Sequence, residues 1–228
     1  MKQALGYIIY DLGYDVWLGN TRGNLYGRNH TTLDPNLDLE EFWSFDWDVA
    51  GVNDLPPVFD YVLDAAGQDQ LMYVGHSMGC SEFLTLMSQY PEEQSKVSAA
   101  FLFAPPSYFS GMTGFLADLA SHVFLVEDAL ERAGVWEFLP DNNKTSVIGH
   151  EECNDENYLA NQEYCDQKAV QIVGCSPQQF NATMIPIYFD VWPEGSSVKP
   201  MVHYGQLINT PDFFGKYDWG TSIANNNH

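Results

Sequence analysis

The stretch that most restricts what this chain can fold into is Gly75-His76-Ser77-Met78-Gly79. The run Leu71–Val74 precedes it directly. Met78–Tyr90 follows, with Cys80, Phe83, Leu84, Met87 and Tyr90 on one helical face. A G-x-S-x-G pentapeptide is weak alone, but between a β-type run and an amphipathic helix it specifies a sharp strand-to-helix turn. Such a turn holds the serine in a strained backbone conformation. Side chains at the flanking positions would collide with strand and helix, so both are glycine. The serine is then exposed at a helix N-terminus, where the dipole favours a developing oxyanion. Ser77 is the expected nucleophile and the Met78 backbone N–H the expected first oxyanion donor, worth roughly 10²–10³ in rate.

The surrounding periodicity predicts an α/β fold. Lys2–Leu12 reads as a helix ended by Gly13, and Tyr14–Leu18 as a buried strand followed by the loop Gly19–Asn24. Residues 25–47 read as irregular. Asp54–Ala66 reads as a helix in which Pro56 and Pro57 fit only the first turn, with Gly67 as its stop. Val97–Ala104 reads as a further buried strand. Helix and strand alternation of this kind makes a parallel sheet with helices outside. After Pro105-Pro106 the chain becomes partly helical, loop-rich and aromatic through residue 220.

Charge narrows the partners. Acidic residues number 31 against 9 basic ones, a formal net charge of −22. Nucleic acid and anionic membrane surfaces both demand the opposite sign. An acidic compartment would relieve the self-repulsion, and simple solubility is an equally good account. No apolar run is long enough for a transmembrane helix. Nothing after Met1-Lys2-Gln3-Ala4 resembles a signal peptide. Yet sequons stand at Asn29, Asn143 and Asn181, which fits a secretory origin and glycosylation at all three. Sequons without a leader predict that N-terminal sequence is missing. No cofactor or metal is expected.

A serine hydroxyl needs a base. The histidines beyond Ser77 are His122, His150, His203 and His228. Asp190 or Glu194 with His203 is one possible acid–base pair. It is disfavoured, because the nine residues from Glu194 to His203 leave little room for the helix and strand that normally intervene.

Longer stretches resemble a known family. Gly13-Tyr14-Asp15-Val16-Trp17-Leu18-Gly19-Asn20-Thr21-Arg22-Gly23-Asn24, Asp54-Leu55-Pro56 and Tyr73-Val74-Gly75-His76-Ser77-Met78-Gly79 are similar to the acid lipases of gastric and lysosomal type. The likeness continues through Glu137-Phe138-Leu139-Pro140, Gly195-Ser196-Ser197-Val198-Lys199, His203-Tyr204-Gly205-Gln206 and Tyr217-Asp218-Trp219-Gly220. The resemblance implies an α/β-hydrolase fold and hydrolysis of triacylglycerols or steryl esters at a lipid–water interface, through a Ser-Asp-His triad. It matches Ser77 to the nucleophile, Cys153 and Cys165 to the family's disulfide, Cys175 to its unpaired cysteine and Asn181 to a glycosylated position. It puts His203 in the cap, not in the triad.

The same resemblance implies an incomplete chain: a partial hydrolase core over 1–104, a cap or lid over 105–220 and the start of the return to the core over 221–228. The His-Gly oxyanion segment and the strands bearing the catalytic Asp and His are then absent. No acid or base is assigned within the chain, and little activity is expected of it alone. A sheet cut on both sides is expected to expose apolar surface and associate. The parent enzyme is expected to be secreted or lysosomal. The alternative reading is a catalytically dead lipid-binding or interaction protein that keeps the cap.

Overall fold

A computed structural model describes residues 4–113, 115–140, 157, 160–165, 184 and 194–220. The chain divides into two compact units, residues 1–136 with 197–228, and residues 137–196. These divisions differ from the sequence-based boundaries at 104 and 220. Residues 105–136 and 197–220 fall in the same unit as the core.

The centre of the larger unit is a parallel pair of strands, β1 (Leu71–His76) and β2 (Val97–Phe103). Val74 lies opposite Phe101 and His76 opposite Phe103. A parallel pair needs a crossover, and α4 (Met78–Gln89) supplies it. Helix α3 (Trp47–Ala66) packs beside α4. Phe59 of α3 and Phe83 and Leu86 of α4 form a buried cluster with Leu71, Tyr73, Val97 and Leu102. Leu71 and Tyr73 share this face by the period of two, and Val97 joins Leu102 on it because the register slips by one residue between Leu71 and Met72.

The opposite face corrects the expectation of buried strands. Met72, Val74, Phe101 and Phe103 are 43–51% exposed. Both faces are apolar, but α3 and α4 lie on the same side.

Tyr14–Leu18 is also corrected. It is irregular and not a buried strand, with Leu18 83% exposed. A strand exists only where a neighbour takes its hydrogen bonds, and no strand among the described residues pairs with this segment. The helix before it, α1 (Leu5–Asp11), buries none of its side chains.

Helix α3 begins seven residues before the expected Asp54. Asp46 caps it, its side chain accepting from the Val49 amide at 2.8 Å. Pro56 and Pro57 therefore lie mid-helix, where they remove two donors from the ladder and cost several kcal/mol unless packing holds the helix. Gly67, at φ 62°, ends it as expected.

Packing is what holds it. A Cβ on Gly51 would lie 2.5 Å from the Glu82 carbonyl oxygen of α4. Only glycine lets these helices touch along their backbones. A short helix α2 (Leu39–Phe42) lies upstream of α3, and downstream of β2 come α5 (Phe115–Ala120), α6 (Val123–Arg132) and α7 (Lys199–Asn209). Helix α7 approaches α6 closely at Gly205, where a Cβ would lie 2.5 Å from Val123 Cγ2. No described helix is long and apolar enough to cross a membrane.

Gly51 yields a sign test. In an open helix Gly→Ala stabilises by up to about 1 kcal/mol. Here Gly51→Ala should destabilise by about 1–3 kcal/mol through overpacking. A denaturant midpoint that stays put or rises would contradict the α3–α4 contact.

Candidate functional site

Ser77 connects β1 to α4 with φ 51° and ψ −118°, a combination costly for any residue with a side chain. Its exposed side chain makes no capping hydrogen bond. The backbone is fixed instead: Ser77 N–H donates to the Phe103 carbonyl at 3.0 Å, and Ser77 C=O accepts from Cys80 N–H at 2.9 Å. Cys80 Sγ lies 3.2 Å from that Phe103 oxygen. The end of β2 therefore anchors both the serine and the first turn of α4. Met78 is the first helical residue, so its N–H has no intrahelical acceptor.

The flanking glycines are unequal. A Cβ on Gly75 would meet Tyr73 Cε1 at 2.9 Å and Gly79 backbone at 3.1 Å. On Gly79 it would meet only the Tyr73 hydroxyl at 3.4 Å. The collision argument therefore holds for Gly75 and is mild for Gly79. The Tyr73 hydroxyl donates to the Gly79 carbonyl at 2.8 Å, and burial holds its pKa well above the ordinary tyrosine value.

Behind α4 lies a charged cluster. Arg22, in the Gly19–Asn24 loop, grips both carboxylate oxygens of Asp54 on α3, Nε at 2.7 Å. This fork joins two of the sequence stretches that carry the family resemblance. The hydrogen bond to Asp54 is the main reason the guanidinium pKa is raised. The turn beside it is tight: Gly23 sits at φ 81°, and a Cβ there would strike Trp43 and Phe45. Glu82 is 5% exposed, and its Oε1 has no hydrogen-bond partner. Burial first, and Asp54 second, push its pKa up to about 8, with Arg22 opposing.

His203 is fully buried on α7. Its Nε2 lies 2.9 Å from the Gly215 carbonyl and must carry the proton, since a carbonyl only accepts. Its Nδ1 lies 3.2 Å from Asp46 Oδ2, and its ring stacks 3.8 Å from Trp47. Both nitrogens face these partners and not Ser77. Gln206, one turn on, accepts from Asp218 N–H at 2.8 Å and donates to the Asp218 carbonyl at 2.9 Å. The structure thus joins His203-Tyr204-Gly205-Gln206 to Tyr217-Asp218-Trp219-Gly220, two further stretches that sequence reading singled out separately. The role of Asp46, Arg22 and Glu82 was not seen in the sequence.

Asn29 is exposed, as a glycosylation site must be. Asn143, Asn181, Cys153, Cys175, Asp190, His150 and His228 lie outside the described residues. Glu194 is half-buried and His122 exposed. Cys165 is fully buried and disulfide-bonded, and Cys80 is a buried free thiol. No group of three or more His, Cys, Asp or Glu side chains suited to a metal occurs among the described residues.

Glu82 makes stability depend on pH. The folded chain holds a proton up to about pH 8 that the unfolded chain releases near 4.5. Its burial therefore destabilises progressively as pH rises through that window, by up to about 1.4 kcal/mol per unit. Glu82→Gln should gain stability over the parent chain as pH rises from about 5 to 8, with the advantage disappearing on acidification. Parallel thermal melts across that range check this; an offset independent of pH would refute it.

Comparison with known proteins agrees with this fold. The profile of the alpha/beta hydrolase fold family matches residues 3–136. Lysosomal acid lipase/cholesteryl ester hydrolase of Macaca fascicularis is 33% identical over 228 residues, which is 100% of this chain and 55% of that protein. Lipase member N of Homo sapiens is 32% identical over 227 residues, 99% of this chain and 54% of that one. Lipase lipl-5 of Caenorhabditis elegans is 33% identical over 224 residues, 96% and 54%. The chain spans about half the length of these relatives. With a parallel sheet, flanking helices and a G-x-S-x-G turn between strand and helix, it belongs to the α/β-hydrolase fold family and is similar to these lipases.

Proposed function

We propose that this chain carries the nucleophile, Ser77, of a hydrolase of lipid esters, of triacylglycerol or steryl ester type, and has little activity alone. The observation that carries this reading is the strained, exposed serine at the start of α4. Ser77 Oγ attacks the ester carbonyl carbon while its proton passes to a base. The carbonyl oxygen becomes an oxyanion at the N-terminus of α4, within the field of the helix dipole and the Met78 N–H. Collapse expels the alcohol, which takes up a proton, and water then hydrolyses the acyl-enzyme. We assign no acid or base within these 228 residues; among the described residues His203 is fully buried with its Nε2 bonded to the Gly215 carbonyl.

The substrate class rests on the relatives' names, which include lipases and a cholesteryl ester hydrolase. The cap of the parent enzyme falls within residues 105–220. The parent protein is secreted or lysosomal and carries glycans at Asn29, Asn143 and Asn181. Cys153 is the disulfide partner of Cys165, and Cys175 is free.

In native protein purified from its source, an organophosphonate should form its adduct on the peptide containing Ser77. Ser77→Ala should lower turnover of long-chain esters by roughly 10⁴–10⁶. Turnover that survives the substitution would refute the catalytic reading. Ser77-independent binding of fatty acids without turnover would favour a lipid-binding role. Peptide mapping of the same material tests the disulfide, and a Cys165–Cys175 link would refute the pairing.

A further inference from the structure

The turn at Ser77 is strained, and strain persists only where neighbours over-determine it. Three ties come from the end of β2 and the segment after it. Phe103 C=O receives Ser77 N–H and faces Cys80 Sγ, and the Pro106 carbonyl lies 3.5 Å from Ser81 Oγ. A fourth tie comes from far away in sequence. The Tyr204 hydroxyl of α7 lies 3.0 Å from Ser81 Oγ. Ser81 is fully buried, and four residues after Ser77 it stands on the same side of α4, one turn along.

We propose that Tyr204 is a positioning residue for Ser77, its hydroxyl locking the first turn of α4 through Ser81. The inference rests on the hydrolase reading only for why the position of Ser77 matters. The direction of the bonds follows from their chemistry. Pro106 C=O can only accept, so Ser81 Oγ–H points to it and Tyr204 O–H donates to Ser81 Oγ. Burial raises the tyrosine pKa well above its ordinary value, which keeps that donor protonated.

The Tyr204 ring has little freedom. It stacks on Trp47 at 5.6 Å and 20° and meets Phe109 edge-on at 6.2 Å. Trp47 is 1% exposed and also stacks on His203 and Phe214. Helix α7 is thereby docked through aromatic faces, and one hydroxyl carries that docking to the serine turn. A region that sequence reading assigns to the cap would thus help set the geometry of the nucleophile.

Amide hydrogen exchange, read residue by residue on the full chain, tests this without reference to turnover. Tyr204→Phe keeps the ring and deletes one buried hydrogen bond. Exchange at the Ser77 and Cys80 amides should rise roughly 3- to 10-fold, while Tyr73 and Val74 in β1 stay unchanged. Ser81→Ala should give the same local rise, the double variant no more than either, and Ser81→Thr should retain protection. Unchanged exchange at Ser77 and Cys80, a rise spread equally over β1, or additive effects of the two deletions would each overturn the proposal. Because exchange is the readout, these outcomes stand whether or not Ser77→Ala abolishes hydrolysis.

Discussion

The backbone contact between α3 and α4 at Gly51 is the constraint on which the larger unit depends. Gly51 has no side chain, so α4 can come within van der Waals reach of α3 at Glu82. That approach buries Phe59, Phe83 and Leu86 against the strand pair and keeps Ser81 and Cys80 from water. It also imposes costs. Glu82 is carried into the interior with an unsatisfied oxygen. Pro56 and Pro57 must be tolerated mid-helix because α3 is needed on both sides of them. A high pKa at Glu82 is a direct result of helix packing, and it makes the folded chain favour mild acidity. The strongly negative net charge acts in the same direction.

A second constraint is the aromatic stack around Trp47. This residue opens α3 immediately after its Asp46 cap and receives His203, Tyr204 and Phe214 on its ring faces. Its neighbour Asp46 serves two elements at once, accepting from Val49 N–H and facing His203 Nδ1. Helix α7 is consequently tied to the N-terminus of α3, with Gln206 and Gly205 fixing its other sides to Asp218 and Val123. This explains why a histidine that could have been read as a base is occupied with structural work. A buried imidazole between a carbonyl and a carboxylate, under an indole, holds elements together.

Several sequence expectations failed for one reason: local pattern does not say where a neighbour lies. Asp54 looked like a helix start because Pro56 and Pro57 favour the first turn, but Asp46 is the stronger cap and the α4 contact stabilises the helix across the prolines. Tyr14–Leu18 has the composition of a buried strand, yet no strand among the described residues pairs with it and it is irregular. Val97–Phe103 forms the predicted strand, but Phe101 and Phe103 are exposed because both packing helices lie on the other face.

The sequence by itself determined the turn at Ser77, the strand before it and the helix after it, because their requirements are local. Gly75 must be small, an apolar run must precede it and an amphipathic run must follow. It also pointed to the family, which the match of the alpha/beta hydrolase fold over residues 3–136 bears out. Only the tertiary structure decided which distant groups meet: Arg22 with Asp54, Asp46 with His203, and Tyr204 with Ser81 across 123 residues. Such pairings leave no periodicity, since each depends on how elements distant in sequence pack together, as α3 packs on α4 at Gly51 and α7 on α6 at Gly205.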